Sequence, residues 1–249
     1  MNELDTLLHN ADNLKAELEQ YRDLHSAEIL EALHTEYTYD SNRIEGNTLT
    51  LRETDLVIHK GLTIGGKPMN EHLEAINHYE AIRFIRDLVT SSEPFNKHNL
   101  LAIHALILHG LDRDNAGRFR QVPVMISGSK HTPPQPWQID KLMEDYFLFY
   151  QHKEAELHPI ILASELHEQL ATIHPFIDGN GRTARLVMNL ILLKTGYPIA
   201  NIHGNTESRL AYYNALERCN VQHDKTDFHT LVIGYVIQSL ERLLLLVKN

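Results

Sequence analysis

Apolar residues recur at helical spacing through almost the whole chain of 249 residues, and this periodicity limits the fold more than any other feature. Within residues 3–21, the spaced leucines are Leu4, Leu7, Leu8, Leu14 and Leu18. The same period predicts helices over residues 26–44, 50–60, 70–90, 97–109, 138–151, 158–172, 180–195, 206–220 and 227–246. The sequence therefore predicts a mainly α fold.

Several helix ends carry capping signals. Ser26 is a candidate N-cap of the second helix, and Thr50 with Glu53 matches a Thr-x-x-Glu capping box. Gly46 is placed to end the second helix as a glycine C-terminal cap. Asn96 is placed to cap the helix that begins at residue 97.

The segment SSEPFN at residues 91–96 interrupts the helical pattern. We expect it to separate an N-terminal helical arm, residues 1–92, from a core formed by residues 93–249.

One stretch of that core, residues 110–136, lacks the helical pattern. Within it, residues 118–126 favour β structure, although Pro123 restricts them to an edge strand. Ser127-Gly128-Ser129 then predicts a turn. The sequence thus predicts one exposed β-hairpin, a flap, on an otherwise helical protein.

The chain is acidic, since 23 Lys and Arg against 33 Asp and Glu give a formal net charge of −10. This charge argues against nucleic acid as a partner, because such binding depends on neutralising phosphates. The single cysteine, Cys219, cannot form an intramolecular disulfide, and the N-terminus lacks the pattern of a secretory signal. The apolar runs at 186–193 and 243–247 are too short for a bilayer span, so we expect a cytoplasmic protein without membrane contact. The 17 histidines are scattered without zinc-site spacing.

Residues 174–185, HPFIDGNGRTAR, join two apolar helical stretches and combine groups that phosphate chemistry needs. Gly179 and Gly181 let the backbone approach a ligand and present N–H groups to it. These groups lie at a helix start, where free donors and the helix dipole favour phosphate. Arg182 and Arg185 share a helix face and could clamp further phosphates.

Two further side chains complete this set. Asp178, beside the glycines, is a hard oxygen ligand suited to Mg²⁺. His174, at the end of the preceding helix, could take a proton from an incoming hydroxyl. Each residue alone has an ordinary explanation as a helix end, a turn or solvated surface. Their occurrence together in this order predicts a phosphate-transfer site.

HPFIDGNGRTAR fills every specified position of the Fic-family motif HxFx(D/E)GNGRxxR, and the chain therefore resembles that family. The resemblance extends to GRFR and VMIS in the flap, to LTIGGK and to YYNALERCN, over roughly residues 30–245. It is particularly close to the catalytic portion of the animal endoplasmic-reticulum branch. It implies a Fic-type helical bundle with a flap and an N-terminal arm carrying an inhibitory helix. The implied activity is a protein adenylyltransferase that moves AMP from Mg·ATP to a Ser, Thr or Tyr hydroxyl.

The resemblance implies a role for each position of the motif. His174 would be the general base, and Asp178 would bind the Mg²⁺ that bridges the α- and β-phosphates. Asn180 would contact the α-phosphate, with Gly179 and Gly181 as backbone donors.

The two arginines and the phenylalanine of the motif have implied roles as well. Arg182 would hold the β-phosphate and Arg185 the γ-phosphate, while pyrophosphate leaves from the α-phosphorus. Phe176 would pack in the core. The intact GNG argues against the Doc-like branch, which transfers phosphate.

Outside the motif, the resemblance implies two peripheral sites. The flap residues Val124, Met125 and Ile126 would align a target segment by strand addition, the alternative being an ordinary hairpin. Tyr213 and Asn220 would line an adenine pocket, the alternative being helix packing.

The segment from Ser41 to Gly46 resembles the inhibitory motif [S/T]xxxE[G/N] of the family. Glu45 would form a charge-assisted pair with Arg185 and occupy the donor that the γ-phosphate needs. A capping or surface pair is the alternative. The resemblance thus implies an enzyme restrained by its own N-terminal helix.

Other functions stay open at this point. The same site could remove AMP from a target or transfer another nucleotide, because the GNGR segment contacts phosphates and leaves the base to weaker contacts. A non-catalytic binding module would be expected to carry a damaged motif, and this one is intact. Leu62 matches a dimer-contact turn, which implies a homodimer, unless it is a buried turn leucine.

Overall fold

The computed structural model describes residues 3–21, 27–91 and 93–248, and ten α-helices lie within them. In chain order these are α1 (Glu3–Glu19), α2 (Ala27–Ile44), α3 (Leu51–Lys60), α4 (Met69–Thr90), α5 (Lys97–Ile107), α6 (Ile139–Lys153), α7 (Pro159–Ile173), α8 (Asn180–Lys194), α9 (Thr206–Gln222) and α10 (Thr226–Lys248). A short 3-10 turn, Pro136–Gln138, precedes α6. The predicted mainly α fold is confirmed.

The local capping signals act as predicted where the structure describes them. Thr50 and Glu53 form a reciprocal capping box at the start of α3, and Asn96 caps α5 together with Asn99. Gly46 follows α2 with φ +105°, a conformation that favours glycine. The predicted N-cap Ser26 lies outside the described residues.

The β-hairpin predicted for the flap does not form. In the described part of the chain no residue is in a strand, and residues 118–135 are an extended loop. The predicted turn is present, since Gly128 has φ +79° and the Ser129 N–H donates to the Ile126 carbonyl at 3.2 Å. Pro123 cannot donate to a ladder, and side chains supply partners for the loop backbone instead.

The centre of the molecule is the pair α7 and α8, which pack along each other. Nearly every residue of α8 from Asn180 to Leu192 is buried, as expected for a helix surrounded by neighbours. Helices α4 and α5 also pack against α8, while α6 and α10 pack against α7. The loop that joins α7 to α8 is therefore mounted on the most buried helix of the fold.

The N-terminal and C-terminal helices meet, because α1 packs along α10. Ala11 and Leu18 of α1 belong to the same core cluster as Leu240 and Leu243 of α10. The division of the chain at residues 92 and 93 stays a prediction.

Helix α10 is long and apolar enough, by length and composition alone, to cross a membrane, with a mean hydropathy of 1.6 in its 18-residue window. It is the one such helix in the described residues. Its buried positions include Val232, Val236, Leu240 and Leu243, which share one helix face and pack into the core.

Candidate active site

The loop between α7 and α8 begins at His174, whose backbone is left-handed (φ 51°, ψ 57°), a conformation uncommon for residues other than glycine. Two hydrogen bonds hold it there. Its N–H donates to the Leu170 carbonyl at 2.9 Å, and its carbonyl accepts from Arg120 Nε at 2.8 Å. Such over-determined backbone strain is typical of functional sites.

The imidazole of His174 is prepared to act as a base. Its Nδ1 lies 3.2 Å from the Ala171 carbonyl, which can only accept, so Nδ1 carries the proton and Nε2 keeps its lone pair. Burial lowers the pKa of His174 below its usual value. The ring is therefore neutral near pH 7, and Nε2 can take up a proton.

A second histidine, His104 on α5, packs against the loop and hydrogen-bonds to it. Its ring stacks on that of the fully buried Phe176, with centroids 3.6 Å apart and an angle of 7° between planes. Its Nδ1 accepts from the Gly117 N–H at 3.0 Å, and its Nε2 donates to the Asp178 carbonyl at 2.9 Å. Burial lowers the pKa of His104 to about 4, so the ring stays neutral and keeps one donor and one acceptor.

The glycine segment turns tightly into α8. Gly179 has φ +77°, and a Cβ there would lie 3.1 Å from Ile107 Cγ2. Asn180 is 3% exposed and binds the Phe176 backbone twice, accepting from its N–H and donating to its carbonyl at 2.9 Å each. The Asn180 side chain thus braces the loop, and its contact with an α-phosphate stays a prediction.

Arg182 lies at the start of α8 between two carboxylates. Its Nη2 is 3.3 Å from Asp178 Oδ2, and its Nη1 is 3.2 Å from Glu74 Oε1. The Asp178 side chain is 68% exposed, whereas that of Arg182 is 3% exposed. The structure therefore holds a buried cation beside an accessible carboxylate at the edge of the glycine segment.

Arg185, one turn further along α8, is held by α2. It is 1% exposed, and its Nε donates to Ser41 Oγ at 3.0 Å. Its Nη2 donates to the Ser41 carbonyl at 2.9 Å and to Glu45 Oε1 at 2.7 Å. Burial lowers the pKa of Arg185, but the Glu45 carboxylate and the neighbouring Tyr212 and Tyr37 together raise that pKa above its usual value. The predicted partners Ser41 and Glu45 thus meet Arg185 although they lie 144 and 140 positions away from it in the sequence.

The Glu45 carboxylate also lies against the glycine segment. A Cβ placed on Gly181 would be 2.4 Å from Glu45 Oε1, so only glycine leaves room for it. The carboxylate therefore lies at the start of α8, where backbone N–H groups and the helix dipole favour an anion.

Asp40, which the sequence did not single out, fastens α2 to the segment between α8 and α9. Its Oδ1 accepts from the Gly204 N–H at 2.8 Å. Its Oδ2 accepts from Asn201 Nδ2 at 2.7 Å and from His203 Nδ1 at 3.2 Å. The hydrogen bond to Asp40 is the main reason that the pKa of His203 is raised. Helix α2, which carries Glu45 to Arg185, is thus anchored at Asp40, about one turn before Glu45.

A family model described as the Fic/DOC family matches residues 94–192, which contain the entire segment 174–185. The chain is also 37% identical over 187 residues to the protein adenylyltransferase Fic of Nematostella vectensis. The chain belongs to the Fic/DOC family. We refer to residues 174–185 as the Fic loop from here on.

The Nematostella alignment covers 74% of this chain and 43% of that Fic protein. A second relative, the protein adenylyltransferase Fic of Drosophila virilis, is 35% identical over 187 residues, covering 74% of this chain and 38% of the relative. The chain thus spans about two fifths of the length of the curated relatives it matches.

Solved Fic structures share the fold. A C. elegans Fic-1 fragment (residues 134–508) has a TM-score of 0.87 and 28% identity, and the match covers 98% of this chain and 73% of that chain. A Fic-domain signaling protein from Bacteroides thetaiotaomicron has a TM-score of 0.82 and 25% identity, covering 99% and 98%. The similarity to solved structures thus includes nearly the whole chain and extends well beyond the residues of the family model.

In this Fic protein the flap, residues 118–135, is anchored at its base by Arg120. The Arg120 side chain is buried and donates from Nη1 to the Val122 carbonyl at 3.0 Å and from Nη2 to the Pro134 carbonyl at 2.6 Å. Its Nε binds the His174 carbonyl, as described above. The Arg120 guanidinium therefore joins both arms of the flap to the backbone of His174.

The tip of the flap is anchored by α9. Glu217 accepts from the Lys130 N–H at 2.9 Å and from the Ser129 hydroxyl. Met125 is 92% exposed, whereas its predicted companions Val124 and Ile126 are half-buried. The anchored flap therefore carries one fully exposed apolar residue, Met125, and the docking of a target on it stays a prediction.

The candidate adenine residues lie at the edges of the site. The Tyr213 hydroxyl donates to the Ile44 carbonyl at the end of α2, at 3.1 Å. Asn220 Oδ1 accepts from the Thr172 hydroxyl near the end of α7, at 2.7 Å. Tyr213 thus borders the end of α2 and Asn220 the end of α7, and their contact with adenine stays a prediction.

Proposed function

We propose that this chain transfers AMP from Mg·ATP to a hydroxyl side chain of a target protein, and that Glu45 restrains the reaction. The observation that carries the proposal is the Fic loop, in which a neutral His174, the glycine segment and two buried arginines converge. The relatives named protein adenylyltransferase Fic support the same chemistry.

His174 would start the reaction. Its free Nε2 accepts the proton of the target hydroxyl while the hydroxyl oxygen forms a bond to the α-phosphorus. The bond from the α-phosphorus to the oxygen of the β-phosphate breaks, and pyrophosphate leaves with the electron pair. Arg182 and Arg185 would stabilise the negative charge of the leaving group.

Asp178 is the residue that would hold Mg²⁺. Its exposed carboxylate beside the glycine segment is the hard oxygen donor that this ion prefers, so the chain fits the metal. A bound Mg²⁺ would neutralise charge on the phosphate oxygens.

The restraint follows from competition for Arg185. With Nη2 bound to Glu45 and Nε bound to Ser41, the guanidinium has little capacity left for a γ-phosphate. The Glu45 carboxylate against Gly181 also repels phosphate oxygens. ATP would therefore bind productively only when α2 moves away.

The experiment compares wild type, Glu45→Gly and Glu45→Gly/His174→Ala with α-labelled ATP, Mg²⁺ and a cell lysate. We expect weak labelling by wild type, strong labelling by the single variant and none by the double variant. Labelling that survives the loss of His174 would contradict its role as the base. Equal labelling by wild type and Glu45→Gly would contradict the restraint.

Removal of AMP from a modified target is a second candidate on the same site. The Glu45 side chain is 32% exposed, so its carboxylate could orient a water molecule for attack on the α-phosphorus. Incubating an AMP-modified target with wild type and with Glu45→Gln would test this. Release of AMP by wild type alone supports removal, and no release by either excludes it.

We also propose a cytoplasmic homodimer that does not bind nucleic acid or membranes. The turn after α3 supports the dimer, since Leu62 is 50% exposed there and not a buried turn leucine. The molar mass measured by light scattering should be that of a dimer for wild type and that of a monomer for Leu62→Asp. A monomeric wild type would contradict the dimer.

A further inference from the structure

A half-enclosed cavity of about 380 Å³ lies beside the N-terminal half of α2, outside the Fic loop. Its size falls within the range of small-molecule pockets, roughly 300–1,000 Å³. Its walls come from α1, α2, α10, the end of α8 and the segment that follows α8. We call it the α2 pocket, and its principal lining residues are Leu33, His34, Leu193, Ile199, Gln238 and Leu243.

The position of the α2 pocket connects it to the inhibitory residues. His34 lines the pocket and lies seven residues before Ser41, which is two helical turns, or roughly 10 Å, along the same face of α2. Leu193 lies at the end of α8, the helix that carries Arg185. The pocket is therefore bounded by the two helices that Glu45 and Arg185 join.

Most of the surface that lines the α2 pocket is apolar. Leu33, Leu193, Ile199 and Leu243 supply aliphatic surface. His34 is 5% exposed, and burial lowers its pKa to about 4, so its ring is neutral at physiological pH. This lining favours the aliphatic part of a ligand.

The rim of the α2 pocket is polar, but its charges are paired. Arg242 Nη2 donates to Glu36 Oε1 at 2.7 Å, and His203 binds Asp40 at 3.2 Å. A ligand with a charged head group would have to break one of these pairs or remain unpaired near them. An uncharged hydroxyl or amide avoids that cost and can still hydrogen-bond at the rim, where Gln238 is exposed.

We propose that the α2 pocket binds an uncharged amphiphile, such as a medium-chain alcohol or amide, and that the bound molecule holds α2 in its docked position. The proposed binding follows from the cavity alone, whereas the proposed effect on α2 rests on the restraint proposed for Glu45. Because α2 forms one wall, the complete pocket exists only while α2 is docked. A ligand that binds only this state raises the docked-to-undocked ratio about tenfold at nine times its Kd.

The experiment uses the full chain and three probes of equal chain length, 1-octanol, octanoate and octylammonium. Calorimetry should show 1-octanol binding at one site and both charged probes binding at least about tenfold more weakly. Leu193→Phe and Leu33→Phe, which fill the pocket, should abolish binding, whereas Leu210→Phe on the exposed surface of α9 should not. No binding of 1-octanol by wild type, binding that survives both pocket variants, or equal binding of charged probes would overturn the site.

Hydrogen exchange tests, without ATP, whether the bound molecule holds α2 in its docked position. Bound 1-octanol should slow amide exchange in residues 27–44 of wild type and leave the Leu193→Phe variant unchanged, with thermal unfolding confirming that the variants fold. It should also reduce AMP transfer by wild type while leaving Glu45→Gly unaffected. Binding without slower exchange in α2 would overturn the regulatory half. A chain that binds 1-octanol and protects α2 but transfers no AMP would instead refute the proposed function.

Discussion

Asp40→Asn should release the restraint on AMP transfer without altering any group that contacts ATP. Asp40 is 9% exposed and accepts three hydrogen bonds, from Gly204, Asn201 and His203. Asparagine can still accept from the Gly204 N–H, but its amide NH₂ would face the donors of the other two residues. The substitution therefore removes the fastening of α2 one turn before Glu45.

The magnitude follows from the bonds that are lost. A hydrogen bond to a charged group contributes about 1.5–3 kcal/mol. If the variant has a net loss of one such bond, the undocking equilibrium shifts by about 10- to 160-fold. AMP transfer by Asp40→Asn should rise by up to this factor, limited by the activity of the fully released Glu45→Gly variant.

The assay measures AMP transfer by wild type, Asp40→Asn, Glu45→Gly and the double variant. Because Asp40 acts through Glu45, the double variant should match Glu45→Gly. Asp12→Asn is the matched control, since Asp12 accepts from Tyr197 and His158 and fastens α1 instead of α2. The reasoning is refuted if Asp40→Asn leaves transfer unchanged, if it adds to Glu45→Gly, or if Asp12→Asn activates equally.

Three further predictions concern pH and the flap. Because the pKa of His203 is raised, its bond to Asp40 is strongest below pH 6.5 and weakens as pH rises through the folded-state pKa. The ratio of AMP transfer by wild type to AMP transfer by Glu45→Gly should therefore increase from pH 6 to pH 8. A ratio that does not change with pH would contradict this. The lowered pKa of His174 means that transfer by Glu45→Gly should fall only below pH 6.5, and an acid limb above that value would exclude His174 as the base. Glu217→Gln weakens the anchor of the flap tip and should raise KM for the target protein several-fold while leaving KM for ATP within about twofold; a selective rise in KM for ATP would show that the anchor serves nucleotide binding instead.

The sequence predicted the helices well because their signals are local. Caps such as Thr50 with Glu53 act within one turn, and the apolar period of each helix is contained within it. The contact between Glu45 and Arg185 was predicted only through the family motif, because nothing local indicates that residues 140 apart will pair.

A strand predicted from the sequence does not form, and the roles of Arg120, His104 and Asp40 as supports of the site were not predicted. In each case the contacts of the residue depend on parts of the chain that are distant in sequence. The β-favouring pattern of residues 118–126 is present, but a strand needs a neighbour, and Arg120 supplies partners for the loop carbonyls instead. Similarly, nothing in GRFR shows that Arg120 is buried. His104 and Asp40 each lie in unremarkable helical stretches, and only the packing of α5 and α2 makes them supports of the site.

The most direct test of the proposed chemistry is the position of the label that ATP leaves on protein. Purified Glu45→Gly would be incubated with Mg²⁺, a protein lysate and ATP labelled on either the α- or the γ-phosphate, with Glu45→Gly/His174→Ala in parallel. AMP transfer predicts that α-label is retained on protein, that γ-label is released as pyrophosphate, and that the double variant retains neither. Retention of γ-label would show phosphate transfer and contradict the account.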